Sequence, residues 1–201
     1  MKRKITFLLA IVFCILLTEN GYAQVEYGVR VGAIRSNIYD VHVNSKPRYG
    51  YQFGAVGLIQ LEESGILYLQ PEIVFSAQGE LGGYREDGSL VEQKQFLNFV
   101  NIPIFLKVFF SSAPNGFFAE AGPFIGFKIA DNIERYAENL NYEYKSMDIG
   151  GALGIGYSFN RQFDLSFRYS RGFMDLVEND NRNSTNVTSI FTLGLVYVLD
   201  F

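Results

Sequence analysis

The sequence predicts an all-β fold, an eight-stranded antiparallel up-and-down transmembrane β-barrel. Three observations predict it. Large apolar residues recur at alternate positions over runs longer than the five or six residues, roughly, of a soluble strand. The segments between those runs alternate long, short, long, short along the chain. After residue 23 no apolar run is long enough for a spanning helix, so only a closed barrel could hold the chain in a membrane.

The 201-residue chain opens with basic Lys2, Arg3 and Lys4, followed by a mostly apolar run from Ile5 to Leu17. Polar Thr18, Glu19 and Asn20 come next, then Gly21, Tyr22 and Ala23. This pattern predicts a secretory signal peptide over 1–23, cleaved after Ala23, and a barrel over 24–201. Cys14, the only cysteine, lies inside the leader, so no disulfide is expected in the mature chain. The chain carries 17 basic and 21 acidic residues. Removing three basic residues and one acidic one (Glu19) leaves 14 against 20, a net charge of −6. That balance argues against nucleic acid as a partner.

The first strand is expected over about 26–37, with Tyr27, Val29, Val31 and Ala33 alternating with Gly28, Arg30, Gly32 and Ile34. A polar segment near 38–48 holds His42. The second strand, about 49–61, sets Tyr51, Phe53, Ala55, Gly57 and Ile59 against Gln52, Gly54, Val56 and Gln60. Residues 62–65 read as a tight turn. The third strand, about 66–79, has Leu67, Leu69, Ile73 and Phe75 on one face and Gln70, Glu72, Ser76 and Gln78 on the other. A long polar segment is expected over 80–94. The fourth strand, about 95–109, alternates Ile102, Ile104, Leu106 and Val108 with Asn101, Pro103, Phe105 and Lys107.

After a short turn at 110–116, the fifth strand, about 117–129, carries Ala119, Ala121, Ile125 and Phe127 opposite Glu120, Gly122, Phe124 and Lys128. Residues 130–144 read as another long loop. The sixth strand, about 145–159, sets Ile149, Leu153, Ile155 and Tyr157 against Asp148, Ala152, Gly154 and Ser158. The seventh follows the short turn 160–162 with the cleanest alternation, Phe163, Leu165, Phe167 and Tyr169 against Asp164, Ser166, Arg168 and Ser170. A polar segment over 175–186 precedes the eighth, in which Phe191, Leu193, Leu195, Tyr197, Leu199 and Phe201 share a face. Short turns on the periplasmic side and longer external loops are the habit of bacterial outer-membrane barrels.

Polarity decides which face meets lipid. A basic side chain at the bilayer midplane on the lipid face costs about 2–4 kcal/mol. Arg30, Glu72, Lys107, Glu120, Lys128, Asp148, Asp164 and Arg168 are therefore placed in the lumen. Counted from the periplasmic end, Arg30, Glu72, Glu120 and Arg168 fall at similar heights. They are expected to form a charge-paired layer with Lys107 nearby, and Lys128 is expected to reach Asp148. An eight-stranded barrel has an interior just wide enough for side chains to fill, so this layer reads as a plug. Pro71, Pro103 and Pro123 lie within strands, where each removes a ladder donor. Bulges, or strand segments beyond the membrane band, are expected there.

These same segments carry a family likeness. Leu69-Gln-Pro-Glu-Ile-Val-Phe75, Asn101-Ile-Pro-Ile-Phe-Leu-Lys107 and Ala121-Gly-Pro-Phe-Ile-Gly126 resemble recurring motifs of the PorT-like outer-membrane β-barrel family of Bacteroidetes. Gly28–Gly32, Asp148–Tyr157 and Leu165–Tyr169 are similar to that family's first, sixth and seventh strands. The resemblance implies location in the outer membrane, contact with its lipid, and folding by the barrel-assembly machinery, with Phe201 as the C-terminal assembly signal. As an alternative role it implies an accessory part in protein secretion by the type IX system.

Nothing in the sequence points to catalysis. His42 is the lone histidine, no phosphate-binding glycine loop opens a helix, and acidic loop residues such as Glu86, Asp131, Glu134, Asp175 and Asp180 lack the regular spacing of a calcium loop. The expectation is a structural or interaction barrel meeting cell-envelope partners through its external loops, with no cofactor, no metal and no enzyme activity. A narrow channel for small solutes is the alternative.

Overall fold

A computed structural model of the chain describes residues 25–38, 45–86, 89–133, 143–178 and 186–199. The strands are β1 (Val25–Ile38), β2 (Lys46–Gln60), β3 (Leu67–Glu86), β4 (Ser89–Phe109), β5 (Gly116–Ile133), β6 (Glu143–Tyr144), β7 (Met147–Phe159), β8 (Phe163–Gly172), β9 (Val177–Glu178) and β10 (Thr188–Leu199). Eight of them close a barrel in the order β1-β10-β8-β7-β5-β4-β3-β2, and β6 and β9 form a two-stranded ribbon. Every neighbouring pair is antiparallel, and β1 closes on β10 from Tyr27 opposite Leu199 to Ile38 opposite Thr188. The fold class is the one the alternation predicts.

The period of two becomes two surfaces. On β8, Phe163, Leu165 and Phe167 are exposed, whereas Asp164, Ser166 and Arg168 are buried. Large apolar side chains cover the outside of the other strands as well, among them Val29, Val31, Ile73, Leu153, Ile155 and Leu193. Aromatic residues mark the two borders of this belt. Phe110, Phe117, Phe159 and Phe163 stand near the short turns, and Tyr49, Tyr51 and Phe173 toward the long connections. An apolar band between aromatic girdles is the lipid-facing surface of an outer-membrane barrel. Among the described residues no helix is long and apolar enough to cross a membrane; the strands do so.

Two expectations are corrected. The segments 80–94 and 130–144 are not wholly loops. β3 and β4 continue as a paired hairpin out to Glu86 opposite Ser89, and β5 runs to Ile133. Beyond the lipid the outer face meets water, so a polar strand held by its backbone ladder lacks the apolar alternation that marks a strand in sequence. The prolines, too, sit differently. Pro71 lies in register opposite Ile104, Pro103 opposite Phe124, and Pro123 opposite Gly151. All three are mid-strand and none marks a bulge. The ladder opens where Glu72 and Ile73 face Pro103 and Ile102, yet the register is the same on both sides of the gap. A missing N–H removes a rung without inserting a residue. The register shifts lie elsewhere, between Pro47 and Gln52 and between Asn98 and Phe99.

The turn between β7 and β8 explains a strained residue. Asn160 (φ 52°) and Arg161 (φ 56°) are both left-handed, and Gln162 N–H donates to Phe159 O at 3.0 Å. Two central residues at positive φ are what a tight hairpin turn with matching twist requires. Asn tolerates this region; Arg does so less readily. Arg161 is held by what its side chain reaches: Ser111 O at 2.7 Å, Ala113 O at 2.9 and 3.1 Å, and the Phe109 ring at 3.4 Å. The strained turn thereby clamps its neighbour. Burial there lowers the Arg161 pKa from its ordinary value, opposed by the nearby Tyr68 and Asp164, though a guanidinium stays protonated at any working pH.

Candidate functional site in the barrel lumen

From the short turns upward, the described lumen residues fall into four storeys. The lowest is apolar. Val56, Leu58, Val196 and Val198 form a buried cluster against Tyr68. Tyr68 meets Phe109 edge-on at 5.6 Å, and Phe109 meets Phe118 at 5.4 Å. The Lys107 ammonium lies 4.1 Å from the Phe118 ring centre and forms a buried ion pair with Asp164.

The second storey is the charged layer. The structure brings Arg30, Glu72, Glu120 and Arg168 together from β1, β3, β5 and β8, the four strands that run from turns to loops. Arg168 donates to Glu72 Oε2 at 2.8 Å and Oε1 at 2.7 Å, and to both oxygens of Glu120, one at 2.8 Å. Arg30 reaches Glu72 Oε1 at 3.3 Å and Ser166 Oγ at 2.9 Å. Gln70 donates to Glu72 Oε1 at 2.6 Å. The Arg168 guanidinium stacks 4.0 Å from the centre of the Phe105 ring. Two cations and two anions balance here, as do Lys107 and Asp164 below. Such balance is what makes buried charge tolerable, because an unpaired buried ion costs several kcal/mol, about 3–5 when one partner is removed. Glycine makes the room. A Cβ on Gly154 would sit 2.8 Å from Arg168 Cγ and 2.9 Å from Glu120 Oε1, and one on Gly194 2.7 Å from an Arg30 nitrogen.

Above the layer is a small cavity of about 40 Å³ with a mixed lining, polar at Gln52, Ser76, Asn101, Ser170 and Thr192 and apolar at Val74, Phe124, Ala152 and Ile190, over a floor of Glu72 and Arg168. It suits about three water molecules. The fourth storey is a buried apolar roof of Ile38, Leu97, Phe99, Tyr144, Leu176 and Val177. The β6–β9 ribbon carries part of that roof, pairing Tyr144 with Val177. Asp175 fixes it by accepting from Val177 N at 3.1 Å and from Asn186 Nδ2 at 3.0 Å.

Lys128 and Asp148 do not meet as expected. Lys128 donates to Asp131 Oδ2 at 2.8 Å and Tyr144 O at 2.9 Å, and Asp148 accepts the Thr188 hydroxyl at 2.7 Å. The register explains this. Asp148 lies opposite Gly126, two residues further into the barrel than Lys128. The lysine stem reaches outward to a half-exposed carboxylate instead of inward to a buried one. The residues that complete the layer, Gln70, Ser166 and Phe105, are placed on the lumen side by the alternation but are not assigned to the charged layer from the sequence. Each sits two positions from a charged lumen residue, Gln70 from Glu72, Phe105 from Lys107 and Ser166 from Arg168, which is the signal that could have assigned them to it. His42, Phe201 and the signal peptide lie outside the described residues. Among the described residues no group of three or more His, Cys, Asp or Glu is arranged to hold a metal ion.

Residues 19–178 match the family model described as outer membrane protein beta-barrel domain. Three solved structures are similar in fold. Neisserial surface protein A has a TM-score of 0.50 at 9% identity, covering 87% of this chain and 97% of that one. OprG from Pseudomonas aeruginosa has 0.49 at 9%, covering 90% and 99%. Ail of Yersinia pestis has 0.46 at 10%, covering 87% and 98%. No curated protein matches the chain in sequence.

Proposed function

Because the chain belongs to the outer membrane protein beta-barrel domain family, whose place is the outer membrane, we propose that it works as a filled, non-catalytic anchor that meets envelope partners through its external segments rather than through its lumen. The observation that carries this is the succession of blocks along the barrel axis. The Tyr68–Phe109–Phe118 floor, the Arg168–Glu72–Glu120 layer and the roof around Phe99 and Leu176 set buried side chains in contact across the interior at successive heights, which supports this reading. A solute would have to break buried ion pairs to pass. The partners of this reading are outer-membrane lipid, the assembly machinery during biogenesis and proteins of the cell envelope; it needs no cofactor. Proteoliposomes test it. The reading expects no osmotic swelling in small sugars or amino acids, while swelling at rates typical of a porin would contradict it.

The motifs around Pro71, Pro103 and Pro123, which lie on the adjacent strands β3, β4 and β5, favour a second reading as a PorT-like accessory of type IX secretion. Deleting the gene and following cargo release to the medium tests that. Unchanged release would count against it.

A further inference from the structure

The outer wall carries a feature that the filled lumen does not use. On the face made by β2, β1, β10 and β8, an open apolar groove of about 530 Å³ runs among Val31, Ala33, Tyr51, Phe53, Leu165 and Leu193. Ala33 is its low point, since it pairs with Tyr51 on one side and Leu193 on the other. The groove lies within the lipid belt, so its natural occupants are acyl chains.

Two cations stand at its loop-side end. Arg35 on β1 and Arg171 on β8 are exposed and point outward, continuing the lipid-facing rows of Ala33 and of Tyr169. Arg35 pairs with Phe191 and Arg171 with Ser189 on the intervening β10. Two strand spacings and a two-residue rise set their Cα atoms about 12 Å apart. Both guanidiniums can thus reach one headgroup, or two phosphates of one molecule. No carboxylate occupies an outward position on the described parts of β1, β2, β8 or β10, so among the described residues of these strands the cations have no acidic partner on that face. Basic residues at the rim of an apolar surface recognise anionic lipid, and arginine suits phosphate through its planar fork.

We propose that this face is a binding site for a phosphorylated lipid of the outer leaflet, its acyl chains in the groove and its phosphates on Arg35 and Arg171. Native mass spectrometry of the folded protein in mixed micelles tests this, with bisphosphorylated lipid A as the probe and heat-modifiable gel mobility as the folding control. The expected result is retention of lipid A by the native chain and loss of retention when the phosphates are removed from the lipid. Arg35→Gln with Arg171→Gln should lower retention roughly tenfold or more. Ala33→Trp, which fills the groove and keeps both arginines, should lower it as well. Either single arginine variant gives the same readout in smaller measure if the double variant does not fold. Equal retention by the folded arginine variants, by Ala33→Trp, or of the dephosphorylated lipid would overturn the proposal. So would displacement of lipid A by millimolar inorganic phosphate, which would mean that the arginines bind a free anion.

Discussion

Arg168 and Glu72 stand 96 positions apart in the chain and meet at the centre of the barrel through two hydrogen bonds, at 2.8 and 2.7 Å. Arg168 also takes both oxygens of Glu120, so one guanidinium joins β8 to β3 and β5 across the lumen. Its side chain is almost wholly shielded from water. Removing it would leave Glu72 and Glu120 buried, with Arg30 alone to balance them. Arg168→Ala should cost about 3–5 kcal/mol, measured as a lower urea midpoint for unfolding from lipid vesicles. The loss should be smaller when Glu120 is replaced by Gln in the same chain, because one stranded charge then disappears.

The two lysines of the lumen should behave differently. Lys107 pairs with Asp164 where both are buried, whereas Lys128 pairs with an Asp131 whose side chain is 42% exposed. Lys107→Met should cost about 3–5 kcal/mol. Lys128→Met should cost about 0–1 kcal/mol, screened by water and salt. The same unfolding measurement separates them, and equal losses would contradict the difference in burial.

Much of this architecture was legible in sequence. The run Phe163, Leu165, Phe167, Tyr169 against Asp164, Ser166, Arg168, Ser170 gives both faces of a strand directly, because lipid and lumen make opposite demands at successive positions. The heights of Arg30, Glu72, Glu120 and Arg168 could be counted from the turns. What could not be read depends on stagger between strands. Lys107 finds Asp164 and Lys128 misses Asp148 because of register, which no single strand encodes. The polar hairpin beyond Gly79 was missed for another reason: outside the bilayer a strand keeps its backbone ladder but loses its apolar alternation. Pro103 misled because a proline that breaks a rung need not shift the register.

Gly154 has to remain small. A methyl group there would crowd Arg168 Cγ and Glu120 Oε1 at below 3 Å. Gly154→Val should destabilise the barrel by about 1–3 kcal/mol, and Gly116→Val, where nothing lies within 4 Å of the added Cβ, serves as the control.

The clamp made by Arg161 is a smaller effect. Arg161→Ala removes three hydrogen bonds to the neighbouring turn and the contact with Phe109. A loss of about 1 kcal/mol is expected, together with faster hydrogen exchange at 111–116.

Closure depends on β10. Deleting 191–201 removes the strand that joins β1 to β8 and leaves two unpaired edges that cannot sit in lipid. The truncated chain should show no heat-modifiable mobility shift and should be absent from the outer-membrane fraction.

The proposed plug is tested most directly by conductance across a planar bilayer holding the purified, folded chain. The stacked floor, ion-pair layer and roof predict no steady current above that of the bare membrane at moderate voltage in concentrated potassium chloride. A stable open level whose size and ion selectivity change with Arg168→Ala would contradict the plug and make the charged layer the lining of a channel.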